Sequence, residues 1–318
     1  MLFKNYIYIF VIIFYSFSIN WYSANIGVLH IDTFGFFDTG YNILNGQLPI
    51  RDYWAYTGLI VDYFQSFFFL IFGSNWNSYV IHGSIINVLA TLVFYFFLKH
   101  LKISKNFCLF YSLSFATLHY PVSGTPYAYL HAYTFSLIGI MLFFILNNTK
   151  QNKLLFFVPL IFFLAFFSMQ TPTIYIILLT IVFVIYSTIR DKDYTTLKQF
   201  VIGTFIVIIL LIFYLLLSKT NLIDFLYQYF LFPLTIAESR VSSDAGAYVK
   251  LIDQLNFKRI FGDFKFIHLF LIPLIYIQIM KFKEKKIDYI FYISIFFIVG
   301  TMLLIYNQLL QANQIYIF

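Results

Sequence analysis

The residues that could do chemistry crowd into one stretch, residues 23–58, which reads SANIGVLHIDTFGFFDTGYNILNGQLPIRDYWAYTG. It carries three carboxylates (Asp32, Asp38 and Asp52), one guanidinium (Arg51) and a dense scatter of aromatic rings. A carboxylate held beside a reacting hydroxyl can take its proton. The segments before and after this stretch are strongly apolar. An acid-bearing loop pinned between two membrane helices is where a membrane enzyme would keep catalytic carboxylates, at the lipid–water boundary.

The rest of the chain must position that loop, and its composition says how. Of 318 residues, 61% are hydrophobic and only 10% charged, against about 25% charged in soluble domains. Mean hydropathy is +0.84. These values imply an all-α polytopic membrane protein. The formal charge of +7 does not point to nucleic acid, because the bases sit in clusters at Lys99/Lys102/Lys105, Lys150/Lys153, Arg190/Lys192/Lys198 and Lys281/Lys283/Lys285/Lys286. Each cluster borders an apolar run, as cytoplasmic loops do under the positive-inside rule. The single cysteine, Cys108, excludes an internal disulfide and reads as a small buried hydrophobe.

A spanning helix needs about 20 mostly apolar residues. Candidates are residues 2–21, 79–98, 107–120, 128–146, 154–168, 173–189, 200–217, 264–280 and 289–306, about nine transmembrane helices in one domain, 1–318. Residues 2–21 are longer than a signal-peptide core and lack a following cleavage site, so they read as a retained first helix with the amino terminus in the cytoplasm. Met169-Gln170-Thr171-Pro172 should break one long apolar run into two helices joined by a tight outer turn, since proline interrupts helical hydrogen bonding. Two outer segments then dominate: a first outer loop, 23–78, with interfacial helices, and a long loop, 219–263. Within the first, residues 59–72 are too short to span and read as a helix lying along the outer face, with Asp62 turned to water.

The ordered set in this loop resembles the first outer loop of bacterial GT-C glycosyltransferases, relatives of the protein O-mannosyltransferases and of the lipid A aminoarabinose transferase. The matching residues are Asp32-Thr33-Phe34-Gly35, Ile43-Leu44-Asn45-Gly46-Gln47-Leu48-Pro49-Ile50-Arg51-Asp52-Tyr53, Gly58-Leu59-Ile60 and Ile71-Phe72-Gly73. Ile50 stands where that group commonly has Tyr, Leu59 where it has Pro, and Asp32 is not followed by a second acid. Phe167-Ser168-Met169-Gln170-Thr171-Pro172 is similar to an outer helix–helix turn of the same group. The resemblance covers about the first 100 residues in detail and the remainder only through topology. It implies an inverting sugar transfer from a polyprenyl-phosphate donor to a glycan, lipid or protein acceptor on the outer side of the membrane, with membrane lipids as surroundings, no cofactor and no nucleic acid.

Such a transfer needs a carboxylate for the acceptor's proton and cations for the departing phosphate. Asp32 falls where the group keeps its acid, upstream of Gly46, and is the expected base; Asp38 is the alternative. If the segment is helical, the two point away from each other. Arg51, Arg240 and Arg259 are the candidate phosphate ligands, although Arg51 beside Asp52 could instead fix a turn. Asp52, His119, Tyr127, His131 and Gln170 are expected to line the cavity. Five histidines, His30, His82, His119, His131 and His268, fall near the outer side, but no two have ligand spacing on one helix, so no metal is expected and interfacial hydrogen bonding is the default. Asp191-Lys192-Asp193 reads as a solvated connector.

Two other function classes fit a chain of this kind. A transporter or flippase of lipid-linked sugars would be expected to show internal repeats and ionisable groups at mid-membrane, and the Asp32–Gly73 pattern does not recur. An O-antigen-type polymerase suits the long loop with Arg240 and Arg259 better than it suits the first loop. Residues 307–318 look like the start of a further span, as in a C-terminally shortened family member. The expected location is the bacterial inner membrane.

Overall fold

The computed structural model describes residues 2–27, 33–55, 58–149, 151–235 and 256–310. Among these, regular structure is helical, and the one extended pairing is an isolated bridge between Pro49 and Tyr53. The elements are α1 (Leu2–Ile26), α2 (Thr33–Leu44), α3 (Leu59–Phe72), α4 (Trp76–His100), α5 (Lys105–Leu118), α6 (Ala128–Asn148), α7 (Phe157–Ser168), α8 (Gln170–Asp191), α9 (Thr195–Ser218), α10 (Leu222–Leu226), α11 (Lys265–Lys283) and α12 (Tyr289–Leu310). Each of the nine expected spans contains helix. Among the described residues, five helical stretches are long and apolar enough to cross a membrane: Tyr6–Ile26, Trp76–His100, Ala128–Asn148, Thr173–Arg190 and Thr195–Ser218. Among the same residues, Leu59–Phe72, Asn152–Ser168 and Ile290–Leu303 are shorter apolar helical stretches, α5 has 14 residues, and α11 carries Lys281 and Lys283 in its last turn.

Two compact units result. The first spans Met1–Ile174 and Val184–Tyr229. In it, α1, α4 and α5 are fastened by buried amides: Asn20 Nδ2 donates to Ser84 Oγ and to the Gly124 carbonyl, and Asn87 Nδ2 donates to the carbonyls of Ser16 and Ala116. Apolar surroundings offer such groups no water, so small residues and interhelical hydrogen bonds hold helices together. Cys108 is buried with Ile12, Tyr95 and Leu98.

α2 and α3 lie side by side after α1. Thr33 anchors the start of α2 through Tyr79 Oη, Thr125 Oγ1 and the Pro126 carbonyl. Phe36 packs with Val61, Tyr79 and Ala128. The turn between the helices is tight. Gly46 has φ 84° and Ile50 has φ 73°. For a β-branched residue that is a real outlier, costing about 1–3 kcal/mol. It is held by Ile50 N donating to the Tyr53 carbonyl, by Gln228 Nε2 donating to the Ile50 carbonyl, and by burial of the side chain against Leu59, Phe167, Leu215 and Tyr229.

The helix over 59–72 has the bounds expected from sequence, between Gly58 (φ 75°) and Gly73 (φ 80°). The break at 169–172 is also present. Met169 is extended between α7 and α8, and Thr171 leaves helical geometry at φ −103°, ψ 125°. One expectation needs correcting. Residues 222–235 of the supposed irregular outer loop are helical, with a π-turn at Tyr227–Leu231, because Phe225 and Tyr229 stack on each other and on Phe167 and give that stretch a buried apolar face.

The second unit spans Tyr175–Phe183 and Phe230–Phe318. α11 and α12 pair through Gln278, whose amide donates to the Phe291 carbonyl and to Ser294 Oγ, and through an ion pair between Lys281 and Asp288. Phe183 packs edge-on to Tyr292 and Phe296.

Candidate functional site

The segment between α1 and α4 supplies the groups. Asp32 lies outside the described residues, one peptide before Thr33. Asp38 is exposed on α2. Arg51 and Asp52 form a bidentate pair, with Arg51 Nε to Asp52 Oδ1 at 2.9 Å and Nη2 to Oδ2 at 2.6 Å. Arg51 Nη1 also donates to the Ser218 carbonyl at the end of α9 (3.0 Å), and Nη2 reaches the Gly46 carbonyl. Asp52 caps its own turn by accepting from Leu48 N at 2.8 Å. The guanidinium hydrogen bonds and the Leu48 amide hold the Asp52 carboxyl down at about 2. Arg51 therefore ties the turn between α2 and α3 to α9, while its side chain stays about one-third exposed (34%).

Asp62 departs from the sequence reading. It is 1% exposed, not turned to water. Its carboxylate Oδ1 accepts from Thr39 Oγ1 of α2 at 2.6 Å. Burial pushes this carboxyl well above its ordinary range, only partly opposed by Thr39. Four tyrosines lie within electrostatic reach of it: Tyr53, Tyr63, Tyr214 and Tyr229. Burial and then the charge of Asp62 raise Tyr53, whose hydroxyl is enclosed without a hydrogen-bond partner among the described residues; Asp38 and Asp52 also act on it. Tyr63 Oη donates to Tyr214 Oη of α9 at 3.0 Å. α3 is polar on its inner face and apolar outside, with Phe67, Leu70, Ile71 and Phe72 exposed. This is reversed from a helix lying on water, because α2 covers its polar side.

The next turn of α3 begins a second polar chain. Gln65 Oε1 meets His82 Nδ1 of α4 at 2.9 Å, His82 Nε2 meets His131 Nε2 of α6 at 3.0 Å, and Tyr120 Oη meets His131 Nδ1 at 2.9 Å. All four side chains are fully buried. One hydrogen must sit between the two imidazoles, so each ring's tautomer fixes the other's. Gly40 of α2 allows Gln65 its place: a Cβ there would lie 2.7 Å from Gln65 Cγ. A search for ligand pairs within one helix could not find this pair, which joins residues 49 positions apart.

The remaining expected residues scatter. His119 Nε2 bonds Thr134 Oγ1 at 2.8 Å and stacks on Phe115. Tyr127 offers its carbonyl to His131 and its ring edge to Phe36. Gln170 Nε2 donates to the Tyr229 carbonyl. Arg240 lies outside the described residues. Arg259 belongs to a short π-helix, Lys258–Asp263, of the second unit. His30 is outside the described residues and His268 meets the Ile260 carbonyl at 2.7 Å. Asp193 accepts from Thr195 N and from Asn152 in its connector. Among the described residues no group of three or more His, Cys, Asp or Glu converges as a metal site. Comparison with known proteins gives no relative: no family model, curated protein or solved structure matches this chain.

Proposed function

We propose that this chain is a membrane glycosyltransferase, a hexosyl- or pentosyltransferase that moves a sugar, with inversion, from a polyprenyl-phosphate donor to a glycan, lipid or protein acceptor at the outer membrane face. One observation carries the reading. The ordered residues that resemble the GT-C first outer loop build a helix pair, α2 and α3; α2 carries Asp38 at an exposed position, and the connection between the helices brings Arg51 to the end of α9. An acid and a guanidinium at an interface are the groups that proton abstraction and phosphate departure require. Asp32 or Asp38 is the base, and Arg51, Arg240 and Arg259 are the candidate phosphate ligands.

The test supplies isolated membranes with a labelled sugar on polyprenyl phosphate, or with the same sugar as a soluble nucleotide. Transfer is expected only from the lipid donor. Arg→Ala at one or more of the three arginines should raise the apparent donor Michaelis constant about 10–100-fold, since a charge-assisted hydrogen bond contributes roughly 1.5–3 kcal/mol. Efficient transfer from the nucleotide sugar, with all three variants behaving like the parent, would sink the lipid-donor reading. The buried Gln65–His82–His131–Tyr120 chain favours a second reading, a flippase of lipid-linked sugars, because ionisable groups inside a helix bundle often mark a transport path. Donor lipid moving across vesicle membranes without sugar transfer would select it.

The accompanying topology has nine spans in the bacterial inner membrane with the amino terminus in the cytoplasm. Cysteines placed near Lys102, Lys153, Lys192 and Lys285 should be shielded from membrane-impermeant thiol reagents in intact cells, while those near Asn45 and Gly246 should label. Strong labelling at two or more of the first set would reject this arrangement.

A further inference from the structure

A hydrogen count at Thr39 bears on the state of Asp62. Thr39 Oγ1 lies 2.9 Å from the Gly35 carbonyl and 2.6 Å from Asp62 Oδ1. A threonine hydroxyl has one hydrogen. If Asp62 is ionised, that hydrogen can serve only one of two acceptors. If Asp62 carries a proton, its own O–H donates to Thr39 Oγ1, and Thr39 donates onward to Gly35. Both short contacts are then satisfied.

The surroundings agree. α2 presents Thr39, with Asp38 exposed one residue away, and the turn presents Tyr53 and Asp52. α3 itself adds Tyr63 and Gln65; α4 offers Tyr79 and His82, the latter bonded to Gln65. α7, which also packs on α3, has no titratable side chain. α9 and the π-turn contribute Tyr214 and Tyr229, both within electrostatic reach of Asp62. Arg51 is the cation of this set, and it is paired with Asp52. A metal ion fits poorly, since hard cations seek six or more oxygens and the carboxylate and Thr39 offer too few.

We propose that Asp62 is a proton-binding site at the α2–α3 seam, occupied at neutral pH, and that loss of its proton releases the C-terminal half of α2 from α3. The ligand is a proton, and the inference stands whatever reaction the protein performs. Ionised, Asp62 is a buried charge with one hydroxyl and, among the described residues, no cation beside it, so the seam must open to water. Thr39 and Gly40, which packs on Gln65, are the contacts that part.

A hydrophobic carbodiimide tests occupancy directly. The protonated carboxyl gives its hydrogen to a carbodiimide nitrogen while its oxygen adds to the central carbon, giving an O-acylisourea; acyl transfer from that oxygen to the neighbouring nitrogen then leaves a stable N-acylurea on Asp62. In membranes at neutral pH, mass spectrometry should find the adduct on Asp62 and not on ion-paired Asp52, and Asp62→Asn should remove it. Hydrogen–deuterium exchange tests the consequence. Over residues 36–46, the parent and Asp62→Asn should exchange alike near about pH 6, while near about pH 9 the parent should exchange about tenfold faster. Equal exchange at both values, or absence of the Asp62 adduct while other buried carboxyls label, would overturn the proposal.

Discussion

Asp32→Asn is expected to lower sugar transfer by about 10²–10⁴-fold, the usual worth of a general base, with expression and membrane insertion unchanged. The amide keeps the shape of the carboxylate and loses the ability to take the acceptor's proton. Thr33, the next residue, is locked by Tyr79, Thr125 and the Pro126 carbonyl, so the chain enters α2 at a fixed point. Asp38→Asn, on an exposed position of α2, should cost less. The pair of variants is informative because the resemblance offers both acids as the base and only one of them can take the acceptor's proton. Rates are measured from the lipid-linked donor at saturating acceptor. Near-parental transfer by Asp32→Asn together with loss in Asp38→Asn would move the role of base to Asp38.

How far the sequence could have shown this site depends on the residue. α3 was legible to the residue because its ends are glycines with positive φ, Gly58 and Gly73, and because a short apolar run between them permits little else. The α7–α8 break was legible because Pro172 forbids a continuous helix. Asp62 was misread for a physical reason. An amphipathic helix shows which residues share a face, and Asp62, Gln65 and Ser66 do share one, but not what covers that face. The Thr33 anchor, the packing of Phe36 on Val61 and the small Gly40 bring α2 down onto it. The His82–His131 contact was hidden for a related reason: pairing between helices has no local period, and each histidine alone looks like an isolated polar residue. The helical stretch 222–235 was missed because its stabilising partners, Phe167 and Ile50, are distant in sequence.

The same dependence on distant partners sets the largest expected effect on folding. Gly203→Val should sharply reduce the monodisperse, folded fraction recovered in detergent, whereas Gly300→Ala should not. Gly203 sits in the first half of α9, where even a Cβ would lie 2.3 Å from the Phe156 carbonyl oxygen and 3.0 Å from its carbonyl carbon. The obstruction is backbone, so no rotamer relieves it and the helix must move. Overpacking of this kind typically costs about 1–3 kcal/mol, and a direct backbone clash belongs at the upper end. At Gly300 the nearest atom to a new Cβ is Leu179 Cδ1 at 3.6 Å, an ordinary contact. There the gain in helix propensity, about 1 kcal/mol, should leave stability equal or higher. The difference reaches the candidate site because α9 is one rod. Fifteen residues beyond Gly203, about 22 Å along the axis, Ser218 accepts the Arg51 hydrogen bond, and Tyr214 one turn earlier meets Tyr63. A milder variant, Gly203→Ala, should therefore lower both the thermal midpoint and donor affinity, while Gly300→Ala lowers neither. Parental stability in both Gly203 variants would show that α9 does not seat on Phe156, and with it would go the placement of Ser218 against Arg51.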